Sequence, residues 1–266
     1  MVKAIIDPKK SVYDNASVYF EKAKKAKRKL LDTENAIRRT LNELKELKKS
    51  EKKEEEKEER ERGIIKRKPQ WFEKFRWFIS SDSFLVIGGK NADQNEILAK
   101  RYLTESDLFL HADIAGAAAI IIKNGINASK QTLREAGEFA ASYSKAWNLG
   151  MAGVDVFAVG KEQVSKSPPS GGYLPKGSFF ISGKKRIFKN TQLGLIIGKT
   201  ESGISVAPIS CESKRFTKFC KIIPGDQEKE KMAEEIAKIL SETKILSETN
   251  ERILSLMPSG KTSIAK

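Results

Sequence analysis

The sequence predicts an α+β fold: a mixed β-sheet domain with two packed helices, preceded by a long coiled-coil helix and followed by a C-terminal amphipathic helix. Three observations carry this. Ser11 to Arg62 holds no Gly or Pro and repeats apolar or small residues every seven positions. From residue 71 the composition turns to short β-branched and aromatic runs punctuated by Gly, Asn and Asp, interrupted by two helical patterns. After Pro224-Gly225 a polar stretch with an apolar stripe resumes helical spacing.

In the first segment, Ala16, Ala23, Leu30, Ile37 and Leu44 share one heptad position, with Tyr19, Ala26 and Leu47 three residues on; Thr33 and Thr40 weaken that second position. Five heptads predict a helix about 75–80 Å long at 1.5 Å per residue. Asp14 and Asn15 are candidate caps and Gly63 a natural stop, while a turn at "LLDTEN" (Leu30 to Asn35) offers a hairpin as the alternative. The one-sided seam calls for a coiled-coil partner, either a second copy or a separate upstream half. "KKSEKKEEEKEERERG" reads as a solvated, two-signed helix end.

The composition shift after "KRKPQ" sets the domain limits at 1–65 for the arm, 71–225 for the α+β domain and 226–258 for the terminal helix. "FRWFISS" and "SFLVIGG" flank Asp82 as a β-hairpin. Asn91 caps a helix over "NADQNEILAKRYL", "DLFLHAD" and "AAIIIKN" read as strands, and Ser129 caps a longer helix with Leu133, Ala136, Ala140, Tyr143 and Trp147 on one face. Further strands follow at "AGVDVFAVG", "FFIS", "LGLIIGK", "GISVAP" and "KFCKII", with a Pro/Gly/Ser-rich loop, Ser165 to Ser178, of Ω-loop length between the first two. Strand pairs and βαβ-like steps together predict a mixed sheet. In the last segment Met232, Ile236, Ile239, Leu240 and Leu246 form the stripe.

The formal charge is +15. Residues 1–70 carry 22 basic and 14 acidic groups, residues 71–225 carry 21 and 13, and the remainder is nearly neutral. A polyanion is the natural partner of such a balance. Two cysteines, Cys211 and Cys220, lack metal-ligand spacing and read as reduced thiols, so no cofactor or metal is expected. No apolar run reaches the ~18–20 residues of a membrane span, and the expectation is a soluble, cytoplasmic chain with no membrane partner.

His111 is the single histidine. Strand alternation puts Phe109, His111 and Asp113 on one face, where a hydrogen bond to Asp113 would raise the imidazole's pKa. Three readings stand side by side: a strand-end anchor, a contact to phosphate or base, and an RNA- or nucleotide-processing catalyst working with Asp113. Catalysis would need a nucleophile or metal ligands that the flanking residues do not provide. "VIGGK" places Lys90 and two glycines ahead of a helix cap, a turn that can cradle phosphate or simply connect. Lys100 and Arg101 beside Tyr102, Lys166, and Lys184, Lys185 and Arg186 beside Phe179, Phe180 and Phe188 interleave cations with aromatics, a composition suited to single-stranded RNA. Lys123 ends the second strand of the His111 pair. A helical protein-interaction scaffold with incidental charge is the remaining reading.

Three blocks, "WFEKFRWFISSDSFLVIGGKNADQNEILAKRYLTESDLFLHADIAG", "AGEFAASYSKAW" and "QVSKSPPSGGYLPKGSFFISGKKRIF", resemble in order and spacing the RNA-binding domain of the NFACT family over roughly residues 71–200. These are ribosome quality control proteins related to nuclear export mediator factor and to bacterial fibronectin-binding-like proteins. "IIDPKKSVYDNASVYFEKAKKAKRK" is similar to the start of that family's second coiled-coil helix. The resemblance implies binding to the obstructed large ribosomal subunit, its RNA and tRNA, in rescue of stalled translation. The family's N-terminal tRNA-handling domain has no counterpart in these residues, so template-free tailing is not expected of this chain by itself and the expected role is non-enzymatic. On that basis Lys90, Lys100, Arg101, His111, Asp113, Lys123, Lys166, Lys184, Lys185 and Arg186 are the candidate RNA-binding residues. The sequence departs from the family at Ala115, where a second histidine is common, at Phe157-Ala158, where two aromatics are common, and at Gly172, where glutamate is frequent; each weakens a catalytic role for His111.

Overall fold

The structure, a computed structural model, describes residues 6–9, 11–61, 70–167, 174–211, 215–240 and 246–265. They fall into two units, residues 1–68 and 69–266. Gly63, residues 168–173 of the Ω-type loop, Gly172 among them, and the side chain of Leu47 lie outside the described residues.

The first unit is one helix, α1 (Val12–Glu61), continuous through Leu30 to Asn35, so the hairpin alternative is not what forms. Its cap is Ser11 rather than Asp14 or Asn15: the Ser11 hydroxyl accepts the Asp14 amide at 3.1 Å, and Asn15 instead ties back to both backbone groups of Asp7. The Thr33 and Thr40 hydroxyls donate to the carbonyls of Lys29 and Ala36, which satisfies them without a partner helix. Leu30, Ile37 and Leu44 are exposed.

The second unit is built on two antiparallel sheets. The larger contains β1 (Arg76–Ile79), β2 (Leu85–Gly88), β3 (Leu108–Ala112), β4 (Ile120–Ile122), β5 (Gly153–Gly160) and β8 (Arg186–Gln192), ordered β1-β2-β4-β3-β5-β8. A two-stranded ribbon of β6 (Val164–Ser165) and β7 (Phe180–Ile181) stands apart. The second sheet is β10 (Gly203–Pro208), β9 (Leu195–Thr200), β11 (Lys218–Gln227) and β12 (Thr262–Ile264) in that spatial order. The helices are α2 (Ala92–Ile97, prolonged by a π-helical turn to Tyr102), α3 (Lys130–Ser142), α4 (Lys145–Asn148), α5 (Lys229–Leu240) and α6 (Leu246–Leu256).

Alternation along the large sheet makes two cores. Val86, Leu110, Ala112, Ile120, Ile122, Val156 and Ala158 face α3, where Leu133, Ala136, Phe139 and Ala140 meet them, and the same core continues into the second sheet and α5. Ile87, Phe109, Ile121, Phe157 and Val159 face the other way, toward Leu98, Leu103 and the half-buried Phe179 and Ile181. At roughly 1.5–3 kcal/mol for each fully buried large side chain, both faces favour this register strongly over a one-residue slip.

The structure revises the predicted sheet in three ways. All pairings among the described residues are antiparallel; the βαβ-like step β4–α3–β5 exists, but β3 lies between its two parallel strands. The long helix predicted from Ser129 through Trp147 breaks at Tyr143, whose ψ of 39° leaves the helical region, and restarts on a second cap, Ser144. The C-terminal stripe forms two helices inside the same compact unit rather than an appendage, and the chain passes through Pro224-Gly225 as part of β11. β12 then returns to pair with β11, and the buried Trp147 indole donates to Thr262 at 3.2 Å. Cys211 and Cys220 are both buried. Among the described residues no helix is long and apolar enough to cross a membrane.

Candidate nucleic-acid interface

The C-terminal ends of β2 and β3 and the start of β4 meet at one rim of the large sheet, and local chemistry keeps that rim open. Gly88 pairs opposite Ile120, and the Gly89 amide donates to the Ala119 carbonyl. A Cβ on Gly89 would lie 2.0 Å from the side-chain amide oxygen of Asn95 and 2.9 Å from its backbone nitrogen, so glycine is required for α2 to dock here. Asn95 in turn accepts the Ala119 amide at 3.0 Å and donates to Ala117, binding α2 to β4. Asn91 caps α2 as expected, accepting the Gln94 amide at 2.9 Å. Gly116, with φ of +79°, turns the chain between β3 and β4.

Above this rim opens a cleft of about 550 Å³. Arg76, Lys90, Lys145 and Lys176 line it together with His111, Phe109, Phe157, Phe179 and Tyr143, and among the described residues no Asp or Glu does. Lys176 pairs with Asp93, outside the cleft. Arg76 is the unusual group. It lies on the same face of β1 as the core residue Phe78, its guanidinium carbon is 4.3 Å from the centre of the Tyr143 ring, and one terminal nitrogen donates to the Gly89 carbonyl at 2.7 Å. Its Nε is buried without a hydrogen-bond partner. Burial lowers the pKa of Arg76, and for Lys90 burial does the same, reinforced by repulsion from Arg252 and Arg76. Partly desolvated cations in repulsive proximity cost folding free energy that an anion would recover.

Of the ten residues named from sequence, Lys90 and His111 line the cleft. Lys185 stands 4.4 Å above the Phe157 ring and Lys166 5.4 Å from that of Phe179, so two more cations cover its aromatic side. Lys184 and Arg186 are exposed, and Arg186 lies with Phe188 on the α3 face of β8, opposite the face of Phe157. The others are placed elsewhere. Lys123 donates to Asp107 at 2.5 Å and to the Tyr102 carbonyl at 2.8 Å, at the far end of these strands, so its charge is neutralised inside the fold. Arg101 is exposed next to Tyr102, also away from the cleft, and Lys100 pairs with Glu96.

His111 behaves differently from the expectation of a raised pKa. Burial lowers it; hydrogen bonds to the backbone of Ala112 and Ala117 and the charge of Asp113 oppose that without overcoming it. Desolvation wins because Asp113 is exposed just beyond β3, its amide held by the Asp155 carbonyl, where solvent weakens its field. The imidazole is therefore neutral at pH 7, able to give and accept one hydrogen bond each. Ala115, in place of the family's second histidine, lines the cleft as a small side chain. Among the described residues no group of three or more His, Cys, Asp or Glu could hold a metal.

Sequence reading missed Arg76, Tyr143, Lys145 and Lys176. One signal was available: Arg76 falls two residues before Phe78, an inward position where a charge is out of place in a strand.

Comparison with known proteins places residues 74–183 in a family model described as the NFACT protein RNA binding domain. The archaeal Rqc2 homolog aRqcH of Methanocaldococcus jannaschii is 39% identical over 207 residues, 76% of this chain and 30% of that protein. The ribosome quality control complex subunit NEMF homolog of Drosophila melanogaster is 41% identical over 191 residues, 71% of this chain and 19% of that protein. Homo sapiens ribosome quality control complex subunit NEMF is 48% identical over 129 residues, 48% of this chain and 12% of that protein. The chain thus spans under a third of the length of these relatives.

Proposed function

Because this chain belongs to the NFACT family and carries its RNA-binding domain, we propose that it is the RNA-binding module of a cytoplasmic ribosome quality control factor, engaging large-subunit RNA and tRNA where translation has stalled. The observation that carries the reading is the cationic cleft with its aromatic wall, lined among the described residues by no Asp or Glu and with Lys185 over Phe157. Cations neutralise the phosphate backbone and aromatics give bases a stacking surface. The module acts by binding: burial lowers the His111 pKa against the opposing charge of Asp113, which is exposed beyond β3, and this supports a contact role for the imidazole rather than a relay with Asp113. The exposed seam of α1 is taken up by a second helix, from another copy or from an upstream half of the same system.

Co-sedimentation tests this directly. The purified chain is expected to pellet with large ribosomal subunits and not with small ones, and its tRNA affinity to fall with salt at a log-log slope of about −0.7 to −0.9 per phosphate contacted. Absence of binding at low salt refutes the RNA reading; RNA cleavage lost in His111→Ala refutes the non-enzymatic one.

A further inference from the structure

The cleft has two chemically distinct ends on opposite faces of the large sheet. Arg76 shares its face with Phe78 and Tyr143, the side covered by α3, whereas Phe109, His111 and Phe157 belong to the opposite face with Phe179. Gly89, Gly116 and Ala117 cross over the strand ends between them, and among the described residues no acidic side chain lines either end. At the cationic end Arg76 donates to the Gly89 carbonyl and interacts with Tyr143, has a buried Nε without a hydrogen-bond partner, and lies in mutual repulsion with Lys90 and Lys229; Lys90 is further repelled by Arg252. At the aromatic end Phe109 and His111 are parallel within 5°, Phe157 lies 5.8 Å from the imidazole, and Phe109 meets Phe179 edge-on at 5.4 Å.

We propose that this cleft takes one unpaired nucleotide of the bound RNA, its phosphate between Arg76 and Lys90 and its base against the wall formed by His111, Phe157 and Phe179. The inference rests on the RNA-binding reading and adds the ligand's chemical class. An inorganic anion would satisfy the cations and leave the aromatic wall without a role; an apolar ligand would do the reverse. A volume of about 550 Å³ suits a nucleotide, within the ~300–1,000 Å³ usual for small-ligand clefts. Duplex RNA does not fit, because its bases are paired inside the helix and only phosphates and 2′-hydroxyls reach a recessed site. His111 serves as a positioning group: its neutral ring, hydrogen-bonded to the backbone of Ala112 and Ala117, forms part of the wall against which the base rests.

The lone histidine makes the cleft directly observable. Untagged protein titrated with adenosine 5′-monophosphate should shift the single imidazole resonance in an NMR spectrum, and adenosine without its phosphate should shift it much less. In parallel, fluorescence anisotropy at constant salt should show a single-stranded RNA of about ten nucleotides binding about tenfold tighter than a duplex of equal length. Lys90→Glu, an exposed position, and independently Lys145→Glu should remove that preference and the imidazole shift. If RNA binds but single strand and duplex bind equally, or the imidazole is silent to the nucleotide, the cleft proposal is overturned while the RNA reading stands. If no RNA binds in any form, both fall.

Discussion

Lys123→Ala distinguishes a residue that holds the fold from one that holds RNA. Asp107 is fully buried and its carboxylate accepts four hydrogen bonds: Lys123 at 2.5 Å, the Thr104 amide and hydroxyl at 2.8 Å each, and the Asn124 amide at 2.8 Å. Lys123 also closes the end of the π-helical turn through the Tyr102 carbonyl. Breaking a fully buried ion pair costs about 3–5 kcal/mol. Here the lysine side chain retains 22% exposure and three donors remain on the carboxylate, so about 2 kcal/mol is expected, some 30-fold in the folding equilibrium. Urea denaturation of wild type and variant reads this as a lowered midpoint at constant m-value. Burial alone would raise the Asp107 pKa, but the hydrogen bonds from Lys123, Thr104 and Asn124 together hold it below the ordinary carboxylate value. A depressed carboxyl pKa contributes stability that is complete above about pH 4 and lost as pH falls through the lower folded-state value. In Lys123→Ala the folded-state value moves up toward the unfolded one, so the acid-dependent loss should be smaller and end at a higher pH. RNA affinity at constant salt should stay within about twofold of wild type. A variant as stable as wild type but with about tenfold weaker RNA binding would refute the assignment of Lys123 to the fold.

Gly89→Ala should cost about 1–3 kcal/mol, read as a drop in Tm, because the new Cβ meets Asn95 at its side-chain oxygen and, at 2.9 Å, at its backbone nitrogen; an unchanged Tm would show that α2 can shift without penalty. The His111 imidazole should titrate below 6.5, followed through its single NMR resonance. Since its folded pKa lies under the unfolded value, stability should decline as pH falls from about 6.5 toward the folded pKa, and His111→Gln should abolish that slope; a folded pKa at or above 6.5 contradicts the burial argument.

Several elements were legible because their signals are local. The Asp82 hairpin and the Asn91 and Ser129 caps each rest on one or two residues whose backbone preferences dominate. β8 was not recognised: five of the seven residues in "RIFKNTQ" are exposed, so the run has no buried alternation to reveal it and is held by pairing with β5. β12 has only three residues and acquires its strand conformation from β11. The second helix was read too long because Tyr143 and Trp147 keep the helical stripe across a break, Tyr143 donating instead to the Leu256 carbonyl at 2.5 Å, 113 residues away.

The sequence by itself determined the α+β class, the basic character, the heptad arm and the cation–aromatic composition that suits RNA, because charge, period and capping act within a few residues of chain. It could name Lys90 and His111 as candidates but not join them to Arg76, Lys145 and Phe179. Only the tertiary structure decided that union, since the cleft forms where strands distant in the chain end together. Likewise it alone separated Lys185, standing over an aromatic ring of the cleft, from Lys123, neutralised by a buried carboxylate. The same side chain has opposite roles in the two places because Coulomb energy depends on which partner the fold brings within hydrogen-bond distance and how much water it leaves there.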